Sequence, residues 1–383
     1  MRRSRPISEY LHVFALVVIA MLVGVSLISQ GNADWYSGDH FYNAQVIWFL
    51  VGGLAFILVA MVDLRLLERL SYVFYGLCVV GLILTALVGT EVNHSQRWLR
   101  FMGLNLQISE ITKLGVIIAL ARFFNDRGER SAEAAESTEG PMSLRHLWKP
   151  GLLVALPCSL ILIQPDLGTS LVLALVALSM TLYHGIQRRT AMILVLVGLV
   201  GVPMAWQYGG LREYQKDRVR LWVNPDWFKF DQETGTVATG RNLQSEQAIW
   251  AIGSGKFWGR GSREGSRTRL KYLPEMHTDM IIATFAEEQG FVGCSLLLVL
   301  YWFLILWGLR TAKDARDSFC AQFAVGITAM LGWQVFINVG MVAGLLPIVG
   351  LPLPFLSYGG SAAVTLMLGL GLLFNIGLKR GRL

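Results

Sequence analysis

The sequence predicts an all-α polytopic membrane protein, a single integral domain over residues 1–383 with about ten transmembrane helices. Three observations carry that expectation. Hydrophobic residues make up 54% of the chain and charged residues only 15%, with a mean hydropathy of +0.51. Apolar runs recur at the length of roughly 20 residues that a hydrocarbon core of about 30 Å requires. Lys and Arg are unevenly shared between the two faces those runs define. With ten spans, one set of tails and short loops holds eighteen of them, and the short loops opposite hold only Arg97 and Arg100. Basic residues of short loops stay cytoplasmic, so both termini are expected inside.

The spans fall near 10–30, 42–62, 71–90, 106–124, 150–164, 168–185, 189–206, 279–309, 318–344 and 355–377. The first follows Arg2, Arg3 and Arg5 as a signal peptide would, but no Ala-x-Ala site succeeds it, so it reads as an uncleaved helix. Only Gln164-Pro165-Asp166-Leu167-Gly168 separates the fifth span from the sixth, and the two also read as one broken helix. Segment 125–147 is polar and rich in Glu, Ala and Ser, a flexible cytoplasmic linker. Segment 207–277 is a large extracytoplasmic loop with twelve Lys and Arg residues. Loops beyond about 60 residues translocate largely regardless of charge. The net charge of +7 therefore reflects topology first and anionic headgroups second; nothing points to nucleic acid. Cys78, Cys158, Cys294 and Cys320 all lie in or beside spans, which implies no exterior disulfide framework. No Cys or His spacing indicates zinc or haem.

The polar residues that interrupt the apolar runs gather toward the exterior face. They are Asn93 to Trp98, Glu110 and Lys113, Gln164 to Thr169, Asp279, and the stretch from Asn338 to Ser361. Ionisable groups in spans face a cavity or a partner, so convergence on one site is expected. Proline cannot sit inside a helix without damage, so Pro274 places the start of span eight near Thr278 and Asp279 in its first turn. There the carboxylate either complements the helix dipole or serves as a base at the lip of a groove. Ala283, Ala286, Gly290 and Gly293 lie within about 40° of it, a strip that either packs closely or leaves a groove. Glu110 and Lys113 at i,i+3 read equally as a structural pair or as ligands, and Arg97 beside Trp98 as an interfacial anchor or a ligand. The Pro- and Gly-rich segment 340–360 indicates irregular backbone at membrane depth, which survives only when shielded from lipid.

These motifs stand in the order found in the SEDS family of bacterial cell-wall glycan polymerases, which the chain resembles over nearly its whole length. The resemblance rests on Gln96-Arg97-Trp98, Ser109-Glu110 with Lys113, Gln164 to Thr169, Ala251-Ile252-Gly253-Ser254-Gly255, Leu273-Pro274-Glu275 with His277-Thr278-Asp279, and Tyr358-Gly359-Gly360-Ser361. Asn338 to Val342 and Pro352-Leu353-Pro354 look like its RodA branch more than its FtsW branch. Some positions depart: Gln107-Ile108-Ser109-Glu110 lacks the family's proline, Glu287-Glu288-Gln289-Gly290 replaces Glu-Glu-Leu-Gly, and Gln247-Ala248 replaces Gln-Ser. Residues around Phe228–Arg241 are additional.

The resemblance implies a GT-C-like SEDS architecture in the bacterial inner membrane. It also implies polymerisation of the lipid II disaccharide-pentapeptide during cell elongation, with Asp279 essential and a class B penicillin-binding protein as partner within the elongation complex. The chemistry would be inverting attack of a sugar 4-hydroxyl on a lipid-diphosphate donor, with Asp279 as general base. Arg97, Lys113, Arg218 and Arg220 are candidates for the diphosphate. Glu110, Gln164, Asp166, His277, Thr278 and Ser357 complete the expected substrate-binding set. Mg²⁺ or another divalent cation is an option with Glu110 as ligand, although no all-oxygen cage is legible. Two other classes compete: a lipid II flippase and a non-catalytic scaffold. Against transport, there is no inverted repeat and no matching polar cluster on the cytoplasmic side.

Overall fold

A computed structural model describes residues 5–38, 40–92, 95–101, 104–133, 142–207, 213–223, 241–270 and 276–379. Expectations for Asn93-His94, Leu273-Pro274-Glu275 and most of the additional residues 228–241 lie outside them.

The helices are α1 (Arg5–Ser37), α2 (Phe41–Ala60), α3 (Leu64–Arg69), α4 (Ser71–Val88), α5 (Ile108–Glu133), α6 (Trp148–Ile163) and α7 (Leu167–His184). They continue with α8 (Arg188–Gln207), α9 (Glu213–Val223), α10 (Arg241–Gly255), the single turn α11 (Ser266–Arg269), α12 (Ile281–Lys313), α13 (Ser318–Val342) and α14 (Gly360–Lys379). Each expected span overlaps one helix. Seven of them (α1, α2, α4, α7, α12, α13 and α14) are long and apolar enough to cross a membrane among the described residues; α6 is apolar but shorter. The fifth and sixth spans are separate helices, joined by a turn at 164–166.

α13 is the central post, packed on α5, α7 and α12, while α14 pairs with α2. Over their most apolar windows, 72% of α13 and of α14 is buried, against 17% of α2 and 22% of α4. The outer helices instead present large apolar side chains such as Leu50, Leu54 and Leu77. A surface of that kind is stable in lipid, where every backbone group is already bonded within its own helix.

Two features differ from expectation, and a third, the order of segment 207–277, is left open by the sequence. A small antiparallel sheet, β1 (Thr90–Val92), β2 (Ser95–Phe101) and β3 (Leu104–Leu106), precedes α5, with Thr90 opposite Trp98 and Leu99 opposite Leu106. β1 and β3 have three residues each, too few for a readable alternation. Segment 125–147 is not all linker: α5 continues through Glu133, with buried Asn125 donating to Glu68 at 2.8 Å, and Met142 bridges Ile186. In segment 207–277, the described residues include α9, α10 and α11, and α10 buries Ala248 and Ala251 against α12.

Candidate active site

Asp279 lies just outside α12, not in its first turn. Residues 276–280 form a turn, and the helix begins at Ile281 with Met280 at the N-cap. The reason is tertiary. The carbonyls of His277, Thr278 and Asp279, which would otherwise open the helical ladder, accept from the Tyr358 amide (2.7 Å), the Ser357 hydroxyl (2.7 Å) and the Asn338 amide (3.1 Å). Asn338 Nδ2 also donates to the Leu351 carbonyl at 2.6 Å, so one side chain on α13 holds the Asp279 backbone beside residues 350–351. The half-buried Asp279 carboxylate faces Gly350, where an added Cβ would come within 3.3 Å of Oδ2. Gly350 has φ of +71°, a conformation that side-chain-bearing residues rarely adopt.

The irregular segment 343–359 is the hub on which the dispersed polar residues meet. Ser26 donates to the Phe355 carbonyl at 2.6 Å. Gln30 donates to the carbonyls of Leu356 (2.8 Å) and His277 (3.0 Å). Buried His277 bonds Ser37 (2.9 Å) through Nε2, meets Gln30 and Asp34 through Nδ1, and packs at a tilt against the Phe41 ring. It buttresses the turn from the α1 side. Thr278 is half-buried, and its carbonyl is the one tied to Ser357, whose hydroxyl also accepts from the Leu353 amide at 2.7 Å.

On the opposite side, Asp166 caps α7 by accepting from the Thr169 amide and hydroxyl (3.1 and 2.9 Å), with Gln107 and Ser109 at 3.4 and 3.5 Å. Gly168 sits against Leu351. Gln164 donates to the Leu82 carbonyl, and its own carbonyl, with that of Pro165, accepts from Arg97. Arg97 therefore pins the α6–α7 turn. Lys113 Nζ lies 2.8 Å from both Glu110 oxygens, with the two side chains 2% and 4% exposed. The pair lines a cavity of about 20 Å³ with Ser357, Pro354, Gln334 and Thr365, room for about one water.

The strip of small residues is packed, not open. α12 breaks at Gly290 (φ +63°), and the turn 256–261 inserts there. The Arg260 and Gly261 amides donate to the Glu287 and Glu288 carbonyls, and the Phe291 and Val292 amides donate to those of Lys256 and Phe257. A Cβ on Gly290 would fall 2.2 Å from the Gly259 nitrogen, and one on Gly255 would fall 2.0 Å from the Ala286 carbonyl oxygen. The break also ends the extrapolation of one helical face to Gly293.

The flanking carboxylates, fully buried, bind this turn to the bundle. Glu287 accepts from Ser254 (3.1 Å) and from the Thr268 amide and hydroxyl (3.1 and 2.7 Å). Glu288 accepts from Asn32 (2.6 Å), Tyr36 (3.0 Å) and the Arg263 amide (2.9 Å). Arg218 and Arg220 belong to α9, which docks through Trp222 on the Gly344 carbonyl; Arg220 pairs with Asp217 at 3.2 Å within its own helix.

Ser26, Gln30 and Asp34 on α1, and the structural role of Glu287 and Glu288, are absent from the residues expected of the site. A signal existed, since Ser26 and Gln30 lie at i,i+4 in an otherwise apolar run, the spacing of one helix face. Among the described residues, no group of three or more His, Cys, Asp or Glu gathers as a metal site. With both Glu110 oxygens on Lys113, the donor set expected for a divalent cation does not fit.

Residues 7–381 match the FtsW/RodA/SpoVE family, described as cell cycle proteins. The chain is 33% identical over 361 residues to the peptidoglycan glycosyltransferase MrdB of Escherichia coli K12, covering 94% of this chain and 91% of that protein. It superposes on a chain of a solved peptidoglycan synthase complex with TM-score 0.76 at 26% identity, covering 96% and 98% of the two chains. The rod shape determining protein RodA of Thermus thermophilus, in a point-mutant crystal structure, gives 0.68 at 26% identity, covering 96% and 97%. A turn bearing one carboxylate, held by α1, α13 and the irregular segment 343–359 in a polytopic helical bundle, is thus found in a chain that belongs to the FtsW/RodA/SpoVE family, fits its RodA branch and is a cell-wall glycosyltransferase.

Proposed function

We propose that this protein polymerises lipid II into peptidoglycan strands during cell elongation, with Asp279 as the general base. The observation that carries the reading is the anchoring of the Asp279 turn. Three successive carbonyls are held by Asn338, Ser357 and Tyr358, so the carboxylate is positioned by backbone and not by its own rotamer alone. Such preorganisation is what a catalytic group requires.

In the reaction, the acceptor sugar's 4-hydroxyl gives its proton to the Asp279 carboxylate as its oxygen bonds to the donor's anomeric carbon. The bond from that carbon to the diphosphate breaks with inversion, and the lipid diphosphate leaves. A positioned base contributes about 10²–10⁴-fold. The developing negative charge calls for nearby cations. Lys113 serves it with the ammonium N–H that Glu110 does not take, and Arg97 by exchanging the 164–165 carbonyls; Arg218 and Arg220 lie on a separate helix. Gln164, Asp166, His277 and Ser357 act by holding the walls of the site. The protein resides in the bacterial inner membrane with both termini inside, segment 125–147 cytoplasmic, and Asp279 and loop 207–277 outside. The likeness to a chain of a peptidoglycan synthase complex supports a class B penicillin-binding protein as the crosslinking partner.

The test uses detergent-purified protein and labelled lipid II, where no second membrane face exists for a flippase to serve. The expected result is glycan chains from the wild type and loss of about 10²-fold or more in Asp279→Asn, with folding and partner binding retained. Full activity in that variant overturns the assignment of the base; absence of chains from the folded wild type, with its penicillin-binding partner added, overturns the enzyme reading.

A further inference from the structure

A groove of about 680 Å³ opens beside the Asp279 turn, on the α1–α2 side. That volume is the size of small-molecule sites, which run from about 300 to 1,000 Å³. Its lower wall is apolar, with Ile28 61% exposed. Above it the lining turns to Trp35, His40, Tyr42, Asn43 and Arg263.

Two details separate this groove from an ordinary interfacial aromatic belt. First, Trp35 is 66% exposed yet fixed: the Arg263 guanidinium lies 5.0 Å from its ring centre, and Arg263 Nε is itself tied to Asn32 at 3.3 Å. Second, the groove is coupled to the Asp279 turn. Asp34 accepts from the Phe41 and Tyr42 amides (3.2 and 2.7 Å), setting the start of α2, and lies 3.7 Å from His277, two residues before Asp279.

We infer that this groove is a saccharide-binding subsite, resting on the glycan-polymerase reading above, in which Trp35 and Tyr42 pack against pyranose rings and Asn43 bonds their hydroxyl or amide groups. Pyranose rings present C–H groups on their faces, and the electron-rich face of an aromatic ring attracts such positive edges. Exposed rings beside an amide side chain suit a polar chain that must advance, because packing is retained as hydrogen bonds are exchanged. The apolar lower wall matches a sugar that remains attached to a lipid. That chemistry belongs to both the incoming donor and the growing strand.

The experiment uses full-length protein in detergent. Saturation-transfer NMR with chitotetraose as probe is recorded on the wild type, Trp35→Ala and Asn43→Ala, and is independent of turnover. Polymerisation of labelled lipid II is then resolved by chain length and by substrate dependence. Probe saturation is expected in the wild type and is expected to fall roughly threefold to tenfold in Trp35→Ala, the range of aromatic packing. Shorter strands in the variants assign the groove to the growing strand; a raised KM assigns it to the donor. Equal saturation, strand length and KM in the wild type and in folded Asn43→Ala and Trp35→Ala would overturn the subsite and leave Trp35 an interfacial anchor. Chitotetraose binding without any polymerisation would retain the subsite while removing the enzyme reading.

Discussion

Two sets of buried carboxylates stabilise opposite sides of the same site by different means. Glu110 is neutralised by Lys113 on its own helix, one turn away, with both ammonium contacts at 2.8 Å. Glu287 and Glu288 instead accept from hydroxyls, amides and backbone N–H groups of residues 254, 263 and 268 and of α1. The first solution is local and satisfies charge with charge. The second satisfies it with neutral donors brought from afar, and so turns two acids into anchors for the inserted turn. An ion pair leaves an uncompensated charge when one partner goes, whereas a multiply bonded carboxylate loses one donor at a time.

The largest expected effect comes from breaking the ion pair. Lys113→Met should cost about 3–5 kcal/mol, read by thermal unfolding in detergent, because Glu110 is left buried and alone. Lys113→Met combined with Glu110→Leu should recover most of that stability; a double variant as unstable as the single would show that the pair does more than neutralise itself. Glu288→Gln comes next. It keeps shape but turns an acceptor oxygen into a donor group, with an expected cost of about 1–3 kcal/mol. Tyr36→Phe removes a hydroxyl that donates to Glu288 and accepts from the Gly265 amide at 2.9 Å. A cost near 1 kcal/mol is expected, with faster hydrogen exchange at Gly265 and no change in the α5 amides. Smallest is Arg310→Ala. Its guanidinium is 3.5 Å from Asp314 with the side chain 59% exposed, and a stability change within about 0.5 kcal/mol is expected.

The same contrast explains what could be read in advance. Glu110 and Lys113 are three residues apart, so their pairing was one of two readings open from spacing alone. The 164–166 turn and the irregular 343–359 segment were also visible, because Pro and Gly interrupt apolar runs. Nothing local marks Glu287 and Glu288 as anchors of residues 254–268, since Thr268 and Ser254 lie in another part of a long polar loop. The late start of α12 was hidden for a related reason. Pro274 limits where a helix can begin, but the capture of the 277–279 carbonyls by Asn338, Ser357 and Tyr358 decides where it does. Extrapolating one face from Asp279 to Gly293 failed because the break at Gly290 depends on a turn some thirty residues earlier in the chain.

By itself the sequence determined the helices and their environment. A lipid solvent forces each spanning segment to bond its own backbone and to be apolar for roughly 20 residues, and both demands are written locally. Only tertiary structure decided that Asp279 faces Gly350, that His277 leans on α1, and that Arg97 pins the α6–α7 turn. Those outcomes rest on hydrogen bonds between residues far apart in the chain, such as Gln30 with His277 and Ser26 with Phe355. A polar side chain's type limits what it can bond. Which donor reaches it is set by how the helices pack.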